Sequence, residues 1–201
     1  MRRKHCNNPS KSKTDNNTGN NTLRIIGGRW RSRKLSFLNA PNLRPTPDRV
    51  RETLFNWLQG SISNARCLDL FAGSGALGLE ALSRGAAEVI FIEKNRTTIV
   101  QLKQNLALLK ASSPIINNDA KNYLREEIQP FDIIFLDPPF RKNFLPDCLD
   151  VIIERRLLNE GGLVYLEQEA ETNYHWQDWQ LTAIKETKAG QVKSYLLKYK
   201  E

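Results

Sequence analysis

The four residues Asp137-Pro138-Pro139-Phe140 follow a largely apolar stretch, Phe131–Leu136. Neither proline has a backbone N–H to donate, so a strand cannot continue through the pair with a complete hydrogen-bond ladder. The backbone is stiff at this point, and its carbonyl groups remain available as acceptors. The sequence therefore predicts a rigid set of acceptors, with the Asp137 carboxylate among them, at the end of a buried strand.

Such a set suits the exocyclic amino group of a nucleic-acid base. The lone pair of that nitrogen is delocalised into the ring, which makes it a poor nucleophile. If Asp137 and the Pro138 carbonyl accept its two N–H groups, the nitrogen becomes more tetrahedral and its lone pair can point at a methyl donor. Asp137 could then take the released proton without being an obligatory base, and Phe140 could stack on a base turned out of its helix. The alternative is a simple strand-ending turn.

A second candidate site surrounds the glycines that follow an earlier apolar strand. Cys67–Phe71 runs into Ala72-Gly73-Ser74-Gly75 and then into a helical stretch. Gly73 and Gly75 let the chain turn sharply and approach a ligand without a Cβ in the way. With Gly78 they also satisfy the dinucleotide-binding fingerprint, so an NAD-linked oxidoreductase is an alternative. Such an enzyme would not need the two prolines, and no His or Tyr stands in a matching place to handle a hydride.

Two acids follow the next two predicted strands. Glu93 ends the apolar stretch Ile90–Ile92, where a carboxylate could accept hydrogen bonds from the two hydroxyls of a ribose. The alternative for Glu93 is a solvated acid at a strand end. Asp119 could accept from an adenine amino group or could cap the helix that follows it, and the sequence does not separate these roles.

Positive charge is concentrated near the N-terminus. The net charge is +8, and residues 1–51 hold thirteen Lys or Arg against two Asp. A cationic arm on a nearly neutral body is what contact with a phosphate backbone requires, although a solvated basic tail is the alternative. Trp30 adds a ring for stacking. It lies among the cations of the arm, which are Arg24, Arg29, Arg31, Arg33 and Lys34.

The elements that position these residues alternate between strand and helix. Leu23–Ile26, Gly27-Gly28 and Arg29–Phe37 predict a β-hairpin, and Thr46 and Pro47 predict a capped helix start. From residue 66 onward the pattern predicts an α/β doubly wound, seven-stranded, mostly parallel sheet. Its strands are predicted at 66–71, 88–93, 114–117, 131–137, 163–168, 181–188 and 194–199, and its helices at 76–84, 96–109, 120–128 and 145–157. The last two strands, joined at Ala189-Gly190, should form an antiparallel hairpin.

Composition restricts the remaining possibilities. No run approaches the roughly 18 apolar residues that span a bilayer, and the basic start is followed by no apolar signal segment. The three scattered cysteines, Cys6, Cys67 and Cys148, are neither a disulfide framework nor a metal clip, so we expect a reducing compartment and no metal site. We expect an Asn-rich basic tail without fixed structure over residues 1–21, a hairpin extension over 22–43 and the main domain over 44–201.

Three blocks carry a family resemblance. Asp69–Gly75 resembles motif I of class I methyltransferases, and Asp137–Phe140 resembles their amino-methylating motif IV, which acts on base amino groups or, usually as Asn-Pro-Pro-Tyr, on a glutamine amide. More narrowly, Ile26–Leu35, Arg44–Leu58 and Asp69–Ala81 resemble the RsmD family of guanine-N2 methyltransferases of 16S ribosomal RNA. The resemblance covers about residues 23 to 200 and leaves out only the Asn-rich tail.

The resemblance implies a monomeric cytoplasmic enzyme with a Rossmann-like fold. It implies that S-adenosylmethionine methylates one guanine of 16S rRNA in the small ribosomal subunit or its assembly intermediate. The alternative is an amino-methyltransferase for adenine N6 in RNA or DNA, although the chain has no room for the separate target-recognition domain typical of DNA enzymes. The implied residues are, for catalysis, Asp137, Pro138, Pro139 and Phe140; for the cofactor, Asp69, Phe71, Gly73, Ser74, Gly75, Glu93 and Asp119; and for RNA, Arg29, Arg31, Arg33, Lys34, Arg44 and Arg49. Arg49 and Arg51 could each contribute to RNA binding or be a charge on the surface of their helix.

Overall fold

A seven-stranded sheet forms the body of the protein in a computed structural model that describes residues 21–37, 46–126, 128–139 and 144–200. A separate two-stranded sheet lies near the N-terminus. The strands are β1 Asn21–Arg24, β2 Lys34–Phe37, β3 Arg66–Asp69, β4 Glu88–Glu93, β5 Ile115–Asn117, β6 Phe131–Leu136, β7 Leu158–Glu169, β8 Leu181–Ala189 and β9 Val192–Tyr199. The helices are α1 Asp48–Trp57, α2 Ala76–Ser83, α3 Arg96–Leu108, α4 Ala120–Tyr123 and α5 Phe144–Glu154, with short 3-10 turns at Gly28–Trp30 and Trp176–Trp179.

The strand order of the large sheet is β5-β4-β3-β6-β7-β9-β8. All neighbouring strands are parallel except those that pair with β9, which is antiparallel to both β7 and β8. This confirms the predicted doubly wound sheet, and the tight β8–β9 hairpin confirms the expected antiparallel pair. Because β3, β4 and β6 are covered on both faces, their side chains form two separate cores. Among the described residues, no helix is both long enough and apolar enough to cross a membrane.

Several predicted boundaries differ from the structure, and in the main domain the two largest differences are the start of β7 and the end of α4. Strand β7 begins at Leu158 rather than at residue 163. Leu158 pairs with Phe131, and the register of the two strands shifts between Phe131 and Ile133. Gly161, with a φ of +69°, allows the backbone to bend at this shift. Helix α4 ends at Tyr123 rather than at residue 128. Its last turn tightens through a bond from the Arg125 N–H to the Asn122 carbonyl, and the chain then leaves for the start of β6.

The N-terminal hairpin is present, but its second strand is shorter than predicted. Only Lys34–Phe37 pairs with β1, in the register Leu23 opposite Leu35. The connection between the strands includes a 3-10 turn that begins at Gly28. Gly28 has a φ of +75°, and a Cβ there would lie 1.9 Å from the Ser83 carbonyl oxygen. The glycine is therefore needed for the connection to pack closely against the end of α2.

A buried ion-pair cluster attaches this connection to the main domain. Glu80 on α2 is fully buried, and its carboxylate accepts hydrogen bonds from the backbone N–H groups of Ile26 and Gly27, each at 2.8 Å. The same carboxylate pairs with Arg84 at 2.7 Å and with Arg51 at 3.6 Å. Arg51 is fully buried as well, and it donates to the Arg24 carbonyl at 2.8 Å. The hairpin, α1 and α2 thus share one charged anchor, which we call the Glu80 anchor.

Candidate active site

The carboxyl ends of four adjacent parallel strands bring most of the predicted site residues to one edge of the sheet. Asp69 ends β3, Glu93 ends β4, Asp119 lies just beyond β5, and Asp137 follows β6. Ligands of doubly wound folds bind at this edge. The glycine loop, residues 72–75, follows β3, and the Asp-Pro-Pro segment follows β6. Because β3 and β6 are paired, the two segments lie side by side.

The glycine loop has the sharp conformation that its sequence predicts. Gly73 and Gly75 have φ values of +50° and +79°, which residues with a Cβ rarely adopt. The N–H of Gly75 donates to the Ala72 carbonyl at 2.7 Å, which closes the turn before α2 begins. Ser74 is buried and Phe71 is half-buried, with its ring centroid 5.9 Å from that of Phe144.

Two carboxylates hold this loop. Asp69 accepts from the Gly78 N–H at 2.9 Å, and Glu93 accepts from the Gly73 N–H at 2.9 Å and from the Asn95 N–H at 2.7 Å. Burial raises the pKa of Asp69 to about 7, a shift that the Gly78 hydrogen bond opposes and the charge of Glu93 reinforces. A positively charged ligand near Asp69 would favour its ionised form.

Glu93 and Asp119 already have partners within the protein. Each Glu93 oxygen accepts one backbone N–H, which leaves further lone pairs for ligand hydroxyls. Asp119 accepts from the Lys121 N–H at 3.1 Å and pairs with Lys94 at 3.3 Å. The helix-cap role of Asp119 is therefore the one that the structure contains, and a contact with adenine stays a prediction.

Asp137 accepts a hydrogen bond from Thr46, which we predicted to cap α1. The Thr46 hydroxyl donates to Asp137 Oδ2 at 3.2 Å, and Thr46 itself is buried. The prediction that Thr46 caps α1 is wrong, as is the placing of Pro47 as the first helical residue. Pro47 stands at the cap position in an extended conformation with a ψ of 147°, and α1 begins at Asp48. Thr46 therefore lies one residue before the cap position, and its hydroxyl is directed at Asp137.

Glu167 and Tyr165 on β7 complete the site, and the sequence reasoning missed both. Glu167 is buried, and Tyr165 donates its hydroxyl to Glu167 Oε1 at 2.7 Å. Burial and the nearby charge of Glu167 raise the pKa of Asp137 well above its usual value, although the Thr46 hydrogen bond acts in the opposite direction. The available signal was an acid directly after the apolar stretch Leu163–Leu166.

The predicted RNA-contacting cations differ in their surroundings. Arg31, Lys34 and Arg49 are exposed. Arg29 is exposed and stacks on Trp30 with 4.0 Å from its Cζ to the ring centroid, and Arg33 donates to the Leu108 carbonyl at 3.0 Å. The interpretation of Arg51 as a surface cation is wrong, because Arg51 is fully buried in the Glu80 anchor. Arg44 and Phe140 lie outside the described residues.

Comparisons with known proteins identify the relatives of this chain. A family described as conserved hypothetical protein 95 matches residues 23–198. Ribosomal RNA small subunit methyltransferase D of Escherichia coli is 46% identical over 90% of this chain and 91% of its own length. The chain belongs to this family. The protein of the same name from Haemophilus influenzae is also 46% identical, over 87% of this chain and 92% of its own.

Members of the family also share the fold. The solved structure of yhhF from Escherichia coli superposes with a TM-score of 0.84 at 43% identity, covering 90% of this chain and 99% of that one. The family match begins at residue 23, so it includes the hairpin as well as the sheet. Within the described ranges, no group of three or more His, Cys, Asp or Glu could hold a metal ion.

Proposed function

We propose that this protein transfers a methyl group from S-adenosylmethionine to the exocyclic N2 amino group of a specific guanine in 16S rRNA of the small ribosomal subunit. The observation that carries the proposal is the position of Asp137. It stands at the carboxyl end of β6, beside the strand that leads into the glycine loop, and two prolines fix the backbone after it. The family relatives that share this chain's length are named as small-subunit rRNA methyltransferases.

The residues at the sheet edge fit S-adenosylmethionine by their charge. Asp69 is buried and Asp137 is half-buried, and none of the ion pairs formed among the described residues includes either of them. Carboxyls that are largely withdrawn from water and have no cation beside them suit a ligand that carries positive charge. The cofactor supplies a methyl group on a cationic sulfur. We assign its binding to Asp69, the loop at Phe71, Gly73, Ser74 and Gly75, and Glu93, with Asp119 as a candidate for its adenine.

The catalytic work of the protein is mainly to position the amino group. We propose that Asp137 and the Pro138 carbonyl accept the two N–H groups, which holds the nitrogen and points its lone pair at the methyl carbon. Pro139 keeps this backbone rigid, and Phe140 is assigned to stack on the base. Thr46, through its hydrogen bond to Asp137, fixes the orientation of the carboxylate.

We propose that the hairpin extension, residues 22–43, grips the RNA while residues 44–201 form the catalytic domain. The exposed cations of the extension and of the start of α1 supply the contacts to phosphates, and the assigned residues are Arg29, Arg31, Arg33, Lys34, Arg44 and Arg49. The enzyme would act as a monomer in the cytoplasm, on the small subunit or its assembly intermediate.

The test of the function is methyl transfer from labelled S-adenosylmethionine to small subunits isolated from cells that lack this modification. The labelled RNA is digested to nucleosides. We expect the label in N2-methylguanosine. Label in N6-methyladenosine instead would replace the guanine assignment by the adenine alternative, and no label with bound cofactor would overturn the RNA substrate.

Removal of two exposed cations from the extension should weaken RNA binding. We expect Arg31→Gln with Lys34→Gln to lower the slope of log affinity against log salt by about 1.4, since each phosphate contact on a single strand contributes about 0.7. The measurement is a salt titration of binding to a 16S rRNA fragment. The matched control is Lys185→Gln with Lys188→Gln on β8, which also removes two exposed charges. Equal effects of both pairs would mean that the extension has no special role.

A further inference from the structure

Asp137 and Glu167 are neighbours across the β6–β7 pair. Leu136 lies opposite Leu166 in this parallel ladder, so the next residue on each strand is Asp137 and Glu167. Side chains alternate along a strand, so both point to the sheet face that carries Phe135 and Tyr165. Two acids thus stand side by side on one face of the sheet.

The surroundings of this pair are acidic or neutral. Asp69 on β3 and the Tyr165 hydroxyl on β7 face it, as do Thr46 from the segment before α1 and Ser194 on β9, the residue opposite Glu167. Glu167 is only 6% exposed. No ion pair in the described part of the chain reaches either acid. Asp137 beside Glu167 is half-buried, and two acids at neighbouring positions that are largely withdrawn from water cannot both ionise without a cost.

We propose that Asp137 and Glu167 share one proton in the free protein, and that Glu167 is a positioning residue which keeps Asp137 basic enough to accept the proton released by the methylated nitrogen. The inference has a catalytic half, the role of Glu167 in proton acceptance, which rests on the proposed function. Its structural half, the shared proton, does not rest on that function.

The proton balance follows from the bonds that change. The methyl carbon bonds to the base nitrogen as its bond to sulfur breaks, and that electron pair stays on sulfur. The nitrogen is then positively charged, and it returns to neutrality by giving an N–H proton to the Asp137 carboxylate. Asp137 can accept this proton only after the pair has released its shared proton to solvent, so the reactive state has both acids ionised, and the positive charge of a bound cofactor would offset their repulsion. A carboxylate next to a second negative charge is a stronger proton acceptor than an ordinary aspartate. The Tyr165 hydroxyl, which donates to Glu167 at 2.7 Å, stabilises the charge that produces this effect.

The consequence for pH follows from the raised pKa values of both acids, each caused mainly by burial and, for Asp137, next by the charge of Glu167. Asp137 accepts a proton only when it is ionised, so the rate must fall as pH decreases through the pKa of the pair. Glu167→Gln removes the neighbouring charge. The pKa of Asp137 then decreases, and the acid limb of the pH–rate profile moves to lower pH.

The experiment measures single-turnover methyl transfer against pH for the wild type, Glu167→Gln and Glu167→Asp. We expect Glu167→Gln to move the acid limb to lower pH and Glu167→Asp, which keeps the charge, to restore a limb close to the wild type. Glu160→Gln removes an exposed acid at the other end of β7 and should leave the profile unchanged. An acid limb that stays in place in Glu167→Gln would overturn the catalytic half.

Infrared spectroscopy tests the shared proton without any activity. The variants are compared in an Asp69→Asn background, because Asp69 has a pKa of about 7 and would add a band of its own at neutral pH. The protein with Glu167 should show the carbonyl band of a protonated carboxyl, and Glu167→Gln should lose it; Glu167→Asp should keep it if Glu167→Gln does not fold. Absence of that band in the protein with Glu167 would overturn the pair. A band in this background, together with a wild type that labels no RNA, would leave the pair standing and would contradict the proposed function instead.

Discussion

Asp137→Ala is expected to lower kcat for methyl transfer by about 10²- to 10³-fold. The side chain stands where the amino group must be held, and its loss removes one of two acceptors together with the nearest proton acceptor. Heat protection by S-adenosylmethionine should remain, because the glycine loop is held by Asp69 and Glu93 rather than by Asp137. The measurement is a single-turnover assay on undermethylated small subunits beside a melting curve with and without cofactor.

Two further variants define what the Asp137 result means. Asp137→Asn keeps one oxygen acceptor but loses the charge, so its rate should lie between those of the wild type and Asp137→Ala. Asp178→Ala removes an exposed acid from the turn before β8 and should change the rate little. A near-normal rate in Asp137→Ala would mean that the Asp-Pro-Pro segment is a strand-ending turn after all.

Glu80→Ala should lower the free energy of unfolding by about 3–5 kcal/mol, because it removes the fully buried counter-charge that Arg51 and Arg84 share and leaves Arg51 only the half-exposed Asp48. Arg51 and Glu80 are both fully buried, and the Glu80 carboxylate also accepts the N–H groups of Ile26 and Gly27. These two donors would lose their partner in the variant. Urea denaturation followed by far-UV circular dichroism measures the change.

Glu88→Ala is the matched control for the Glu80 variant. Glu88 pairs with Arg66 at 2.8 Å, but its side chain is 40% exposed, so its loss should cost about 1 kcal/mol or less. A Glu80→Ala variant no less stable than Glu88→Ala would show that the hairpin is held by apolar contacts alone. The hairpin's buried Leu23, Leu35 and Phe37 would then be its main attachment.

The sheet could be predicted from the sequence because its central strands are covered on both faces. The strands Phe131–Leu136 and Glu88–Glu93 are therefore nearly continuous apolar runs. The last two strands could be separated because a short segment with glycine, Ala189-Gly190, lies between them. The carboxyl-edge acids followed from the same reasoning, since the end of a strand fixes which edge a residue reaches. Their approximate positions required no knowledge of side-chain packing.

Partners that lie far apart in the chain could not be predicted in this way. The local pattern places Thr46 near the start of α1, but it cannot show that the Thr46 hydroxyl reaches a carboxylate 91 positions away. For the same reason Arg51 was expected at the surface, either as an RNA contact or as a charge on its helix. One signal was present for Glu80, which is the only charged residue of the otherwise apolar helix Ala76–Ser83. A single charge in such a helix indicates a buried counter-charge.

The Glu80 anchor also sets the order in which the protein can fold during synthesis. The hairpin leaves the ribosome before the residues that hold it, because its partners Glu80, Ser83 and Asn105 lie 53 to 69 positions further along the chain. A two-stranded hairpin is marginal by itself in water. The hairpin must therefore wait for α2 and α3, so the extension assembles only after the glycine loop has been made.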